Sequence, residues 1–479
     1  MTSGTPPVAA GLAAVPVEVV TAAEAEEASR RAAGWMAEHG LAAGDRIAFC
    51  LPSSAALLTA VLGALRTGIV PVLLNATLLD AERDALLADA EPAAVVTDAV
   101  GLAKLATGRP VELAPAPLAR PMHYTSGTTG RAKGVWSGLW DDQTAAAALA
   151  DEAALWHFGP DDVHLVCSPM HHSVSVRFAG GTLLAGGTCI VLGRFDAATA
   201  VAALAGRLGP VPTTTFLAPA ALARLLAPEV GAPDRFDALR LLVHAGSPCA
   251  PDLKRRALDR VGPGVLWEFY GSTEGQFTAC SPDEWLERPG TVGRARQGRT
   301  LSVDDAGTIW CRPPDFARFS YWGDPDKTAS AWRDDGSFTV GDLGRLDADG
   351  YLFLDGRRDD LVISGGVNVY PAEVEGVLYG APGVAEVAVF GRDDPRWGQR
   401  VCAAVVPASG ADRDPVRLLA TLEHHASVTL APYKRPKEYH LVDELPRTST
   451  GKLRRLEVAG RLGLEPARPH AGGEGQSEP

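Results

Sequence analysis

The sequence predicts an α/β protein: a large N-terminal domain of βαβ sheets with a β-rich subdomain, then a small α+β C-terminal domain. Three observations predict it. Short runs rich in Val, Ile and Leu alternate with Ala-rich segments of helical length, which is the pattern of strands buried on both faces between crossover helices. After about Gly293 the texture changes to brief β-like runs broken by Asp-Gly turns, and beyond Arg358 a second strand-and-helix pattern begins. At 479 residues, 46% of them hydrophobic, the chain can bury a sizeable core and fill at least two domains.

In order, "RIAFCL", "IVPVLL" and "AAVVTD" read as strands separated by the helical segments "SSAALLTAVLGALRTG" and "DAERDALLADA". The same alternation recurs in "VHLVCSP", "FAGGTLLAGG" and "TCIVLG", and in "LRLLVHAGS" followed by "DLKRRALDRVG". The runs "GTIWCR", "DDGSFTVGD" and "DADGYLFLDGR" predict antiparallel hairpins. In the last part, "LVIS" leads to "YPAEVEGVLYG", where Pro371 and an acidic first turn mark a helix start, and "VAEVAVFG" and "QRVCAAVVP" follow as strands. The closing "EPARPHAGGEGQSEP" has the composition of a disordered tail.

Composition excludes several classes. A net charge of −13 argues against a polyanion-binding surface and so against nucleic acid, while leaving room for a phosphate in a locally positive pocket. The seven cysteines form no CxxC pair, hence neither a zinc spacing nor a disulfide framework, and a reducing cytoplasm suits them best. No basic stretch opens the chain, and the apolar run from Ala55 stops at Arg66, so neither export nor a membrane span is expected.

One segment stands apart: "YTSGTTGRAKG", Tyr124 to Gly134, has no aliphatic side chain larger than Ala. Gly127, Gly130 and Gly134 let the backbone approach a ligand, so that amide N–H groups and the hydroxyls of Thr125, Ser126, Thr128 and Thr129 can converge on phosphate oxygens, with Arg131 and Lys133 adding charge. The GK[ST] ending of a Walker A loop is missing. Taken alone, the run serves equally as a flexible surface loop.

The order of the segment resembles the phosphate loop of the ANL superfamily of adenylate-forming enzymes, which includes the acyl-CoA synthetases (acid–CoA ligases). Three further motifs follow in that family's order: "YGSTEG" at 270–275, "GDLGRLDADGYLFLDGRRDDLVISGG" at 341–366 and "PRTSTGKLRR" at 446–455. The resemblance extends over nearly the whole chain. It implies that Thr273 offers a hydroxyl to an α-phosphate and Glu274 a carboxylate oxygen to Mg²⁺. Tyr270 then gives a flat face beside the adenine, Gly271 joins the nucleotide-binding residues, and Gly246, Ser247 and Pro248 of "VHAGSP" supply the main-chain contacts to the base. Asp342 and Arg357 bind the ribose. Lys452 enters the site during adenylation and stabilises negative charge in the transition state. Asp359 is the hinge, making the C-terminal domain mobile, and Gly365 and Gly366 line the thiol tunnel. Without the resemblance, each of these residues has an ordinary role: a helix start, a turn, a solvated charge.

The implied division is an adenylation domain over 1–358, a mobile domain over 359–462 and a disordered tail over 463–479. The implied reaction activates a non-amino-acid carboxylic acid with ATP and Mg²⁺, releases pyrophosphate and passes the acyl group to CoA. Transfer to a carrier-protein phosphopantetheine or another nucleophile is the alternative, and a non-catalytic nucleotide-binding protein a minor one. Assembly is left open, a homodimer included. "CSPMHHSVSVRFAGG" resembles the acyl-pocket region, with His172 at the family's His and His171 in place of an aromatic. Candidate substrate contacts are His172, Arg177, Phe216, His244 and Phe269; ordinary packing, or for Arg177 a solvated helix face, is the competing role. Two positions depart from the family pattern: Ala132 replaces a Pro and Val340 a Thr.

Overall fold

The computed structural model describes residues 15–125, 133–357, 360–364, 367–394, 397–408, 414–447 and 453–465. They fall into two units: Met1–His123, Gly138–Phe216 and Arg224–Arg240 form the first, and Tyr124–Ser137, Leu217–Ala223 and Leu241–Pro479 the second.

In the first unit Arg46–Cys50 lies parallel between Val70–Leu74 and Ala94–Val96, and the helices Ala55–Leu65 and Asp80–Ala90 make the crossovers. All of Val70–Leu74 is buried, which explains its unbroken apolar sequence. Ser54 starts the helix Ala55–Leu65, its side chain accepting the Leu57 N–H at 3.1 Å. A second sheet runs in the order Val17–Thr21, Thr188–Leu192, Val163–Val166, Thr214–Phe216, antiparallel at the first pair and parallel thereafter. Helix Ser173–Leu184 connects two of its strands. The predicted βαβ units are all present.

In the second unit Leu241–His244 and Leu266–Gly271 pair in parallel around helix Pro251–Asp259, and Gln276–Cys280 and Arg294–Ala295 extend the sheet antiparallel. The predicted hairpins form between Thr300–Val303 and Ile309–Arg312 and between Asp342–Leu346 and Leu352–Arg357. "DDGSFTVGD" differs from expectation, since Phe338 makes only isolated bridges to Cys311 and Trp332. Its ring is fully buried, with the rings of Phe277, Phe319 and Trp332 at 5.1, 5.1 and 5.2 Å, so this segment serves as a core plug and not as a ladder.

Residues on both sides of the expected 358/359 boundary belong to the second unit, where the C-terminal residues keep a core of their own. Strands Val362–Ser364, Val367–Val369, Val384–Asp394, Gly398–Pro407 and Glu438–Leu441 form one sheet. Val374 and Leu378 of helix Pro371–Tyr379 and Leu418 and Leu422 of helix Pro415–Thr429 pack against Val387, Val389 and Val401. Among the described residues no helix is long and apolar enough to cross a membrane, and all seven cysteines are unpaired.

Candidate active site

The "YGSTEG" motif is a tight turn between Leu266–Gly271 and Gln276–Cys280, closed by a hydrogen bond from the Ser272 N–H to the Gly275 carbonyl at 2.8 Å. Glycine at 275 is a packing requirement, because a Cβ there would lie 2.6 Å from the Phe338 ring. Thr273 is half-buried at the tip, and Glu274 is only 6% exposed. Among the described residues the Glu274 carboxylate has one hydrogen-bond partner, the Tyr321 hydroxyl, which donates to Oε1 at 2.9 Å. A carboxylate on a largely buried side chain with a single neutral donor keeps lone pairs available, and a divalent cation can complement them. A single carboxylate is compatible with Mg²⁺, which takes one or two carboxylates and keeps water and phosphate oxygens for the rest.

Tyr270 donates its hydroxyl to Asp342 Oδ2 at 2.6 Å, and its buried ring packs on Phe277 at 4.9 Å. Asp342, the proposed ribose contact, is therefore oriented by the residue that the resemblance puts beside adenine. Opposite Asp342 in the hairpin register is Arg357, of which the backbone alone is described. Gly246 has φ +92°, a left-handed conformation that favours glycine, while Ser247 is half-buried and Pro248 exposed. Lys133 leaves the phosphate-loop segment paired with Asp324 at 2.5 Å. The Lys133 hydrogen bond, followed by one from the Lys327 N–H, holds the Asp324 carboxyl below its ordinary range. Thr125 ends the strand His123–Thr125, with its side chain outside the described residues. Ser126, Gly127, Thr128, Thr129, Gly130, Asp359, Gly365, Gly366 and Lys452 also lie outside them.

The first unit holds His123, His171 and His172. His172 immediately precedes helix Ser173–Leu184, and its ring lies 4.3 Å from that of His171. His123 contacts the His171 carbonyl through Nδ1 at 2.9 Å. Burial is the main cause pushing all three imidazoles down, His123 and His171 to about 4 and His172 to about 2, so they are neutral near pH 7. A neutral ring that donates from Nδ1 to a carbonyl carries a bare lone pair on Nε2, so His123 presents an acceptor. The Nε2 atoms of all three are buried and have no hydrogen-bond partner among the described residues. Arg177 is partly buried, with its Nε 3.2 Å from the Glu152 carboxylate and its guanidinium 5.6 Å from the centre of the Phe178 ring, so it is not on a solvated helix face. Phe216 is buried at a strand end, 6.1 Å from Phe178.

His244 and Phe269 cannot line one face of the sheet together. His244 pairs in register with Glu268, and Phe269, the next residue along, points to the opposite face. His244 belongs with a buried ionic group: its Nε2 lies 3.9 Å from Glu268, Lys254 donates to the same carboxylate, and the Lys254 ammonium sits 4.8 Å from the centre of the Trp285 ring. Burial lowers His244 to about 4. The sequence reasoning missed Lys254, Glu268, Tyr321 and Asp324. It also missed Arg455, which follows Lys452 in the last motif and pairs with Asp360 and with Glu375 at 2.8 Å.

The chain belongs to the AMP-binding enzyme family: that family's model matches residues 10–121 and 109–315, and the model of the AMP-binding enzyme C-terminal domain matches 373–452. Among its relatives, a feruloyl-CoA synthase from Amycolatopsis sp is 33% identical over 477 residues, covering 93% of this chain and 94% of that protein. A fatty acid–[acyl-carrier-protein] ligase, ScoC from Streptomyces coeruleorubidus, is 36% identical over 362 residues, covering 72% of this chain and 68% of that one. The solved structure of o-succinylbenzoate coenzyme A synthetase from Bacillus subtilis in complex with ATP and magnesium matches with a TM-score of 0.77 at 26% identity, over 91% of this chain and 94% of that one.

Proposed function

We propose that this enzyme activates a non-amino-acid carboxylic acid as an acyl-adenylate at the Tyr270–Gly275 turn and transfers the acyl group to the thiol of CoA. The observation that carries this is the arrangement around the turn: a largely buried Glu274 held by the Tyr321 hydroxyl and a Tyr270-oriented Asp342, the two acids drawn from two separate motifs. The acid's carboxylate is the nucleophile. It attacks the α-phosphorus of ATP, the bond to the bridging oxygen of pyrophosphate breaks, and the mixed anhydride remains. Thr273 contacts the α-phosphate, Asp342 fixes the ribose and Lys133 meets the departing phosphates. Mg²⁺, held through Glu274, supplies charge neutralisation on those phosphates when bound. Lys452 adds charge stabilisation at the reacting oxygens.

In the second half-reaction the domain beyond residue 358 turns about Asp359, Gly365 and Gly366 border the thiol's path, the thiol sulfur attacks the acyl carbonyl with loss of its proton, and the acyl–oxygen bond to phosphate breaks to release AMP. Two things support this division. The C-terminal family model covers 373–452, and that part has its own core. The wholly unpaired cysteines suit a cytoplasmic enzyme. His172, with His171 beside it, is the side-chain contact for the acid. Arg177, which pairs with Glu152, is a further candidate contact for an anionic or polar group of the acid. A carrier-protein thiol is the second reading, favoured by the likeness to ScoC.

The test is pyrophosphate release from MgATP across aliphatic, aryl and dicarboxylic acids, each with and without CoA. A selective acid whose turnover rises with CoA, with the thioester seen by mass spectrometry, supports the CoA reading. Adenylation that CoA leaves unchanged turns the search to carrier proteins.

A further inference from the structure

We propose that Tyr321 is a positioning residue for the metal-binding carboxylate, and that the short segment Ser320–Asp324 is a brace that sets the charged groups of the nucleotide site. This rests on Glu274 being the Mg²⁺ ligand. Nothing in the sequence motifs points to the segment, which lies between the "YGSTEG" turn and the Asp342 hairpin.

The brace is stitched to the strand that leaves the phosphate-loop segment. Ser320 and Tyr321 pair antiparallel with Trp136 and Val135, and the Trp322 N–H donates to the Gly134 carbonyl at 2.8 Å. Two residues on, Asp324 does double duty. Its Oδ1 caps helix Pro325–Ala331 by accepting the Lys327 N–H at 3.0 Å, and its Oδ2 meets the Lys133 ammonium. Thr328 of that helix accepts the Tyr321 N–H at 2.9 Å. The Tyr321 ring is itself wedged, edge-on to Phe319 at 5.4 Å and with the Lys327 ammonium 5.0 Å from its centre. With backbone and ring both fixed, the hydroxyl is presented to Glu274 Oε1 at 2.9 Å.

The chemistry explains why such a contact matters. A carboxylate on a flexible side chain can offer a cation one oxygen, the other, or both, whereas Mg²⁺ demands near-octahedral geometry and tolerates little variation. A donor fixed on Oε1 restricts the plane of the group and would leave Oε2 to a cation. Partners one step behind a ligand commonly tune metal affinity in this way. The same segment holds Lys133 through Asp324, so one corner of the fold aligns a cation that meets phosphate and an anion that meets metal.

The experiment is a titration of free Mg²⁺ in the pyrophosphate-release assay at saturating ATP and acid, with Tyr321→Phe and Glu274→Gln beside the wild type. It is run at a temperature where circular dichroism shows all three folded. Tyr321→Phe keeps the wedged ring and removes the hydroxyl alone. The expected result is an Mg²⁺ half-saturation raised about tenfold, partial recovery of rate at high Mg²⁺ and an unchanged KM for the acid. An Mg²⁺ dependence like the wild type's in Tyr321→Phe, alongside a disabled Glu274→Gln, overturns the brace and leaves Glu274 as ligand. A Glu274→Gln enzyme with wild-type Mg²⁺ dependence overturns the ligand assignment itself.

Discussion

The charged groups of the nucleotide motifs and the histidines around His172 are handled in opposite ways. In the second unit Lys133 has Asp324, Glu274 has Tyr321 and Asp342 has Tyr270, so each is held in one orientation before any ligand arrives. In the first unit His123, His171 and His172 are buried, uncharged, and lack a partner at Nε2 among the described residues. The paired groups suit a ligand of fixed shape such as a nucleotide, where pre-organisation lowers the reorganisation needed in the transition state. The unpaired imidazoles suit a ligand that brings its own donor or acceptor, because an unmatched ligand would leave them buried and unsatisfied.

This contrast is open to direct attack. Glu274→Gln carries the largest expected effect, a fall in pyrophosphate release of roughly a hundredfold or more whichever acid is used. A residual rate within tenfold of the wild type would remove the carboxylate from the mechanism.

Stability against pH tests the neutrality of the buried histidines next, His244 of the second unit included. His123 and His171, like His164 on strand Val163–Val166, are held down to about 4, well below the ordinary imidazole value. Between pH 6.5 and 4 the unfolded chain therefore binds protons that the folded chain does not. Their contribution is intact above pH 6.5 and is lost as pH falls toward 4, on the order of 3 kcal/mol for a fully buried ring such as His164. Urea unfolding should show a clear loss between pH 7 and 5, above the range where carboxylates titrate. A flat profile in that window would mean that these rings are not kept neutral.

Asp342→Asn is expected to raise the KM for ATP by roughly ten- to a hundredfold, the cost of a weakened charged hydrogen bond to the ribose, with little change in the KM for the acid. The smallest effect belongs to His172→Ala, about a tenfold change in the KM for the acid with the KM for ATP unchanged. Equal shifts in both constants would erase the distinction between the regions.

Much of the fold was legible because the strand and helix periods are clean. The alternation from "RIAFCL" to "AAVVTD" gave three parallel strands and two crossover helices in the predicted order. The Asp-Gly turns gave the Asp342 hairpin. Phe338 was misjudged because an apolar residue beside a turn looks the same whether it joins a ladder or plugs a core. Site motifs were legible where the chemistry is local, as in the Tyr270–Gly275 turn. The supporting residues were not, since contact across the chain leaves no local signal: Tyr321 reaches Glu274 from 47 residues away and Asp324 reaches Lys133 from 191. Strand facing was not legible either: His244 and Phe269 were both candidate pocket walls by resemblance, and only the register shows that they project from opposite faces of the sheet.

The most direct measurement is exchange of labelled pyrophosphate into ATP without CoA, with and without an accepted acid, in the wild type, Glu274→Gln and His172→Ala. Formation of an acyl-adenylate at this site predicts acid-dependent exchange that Glu274→Gln abolishes, while His172→Ala retains it with a changed preference among acids. Exchange that proceeds without acid, or survives Glu274→Gln, would contradict it.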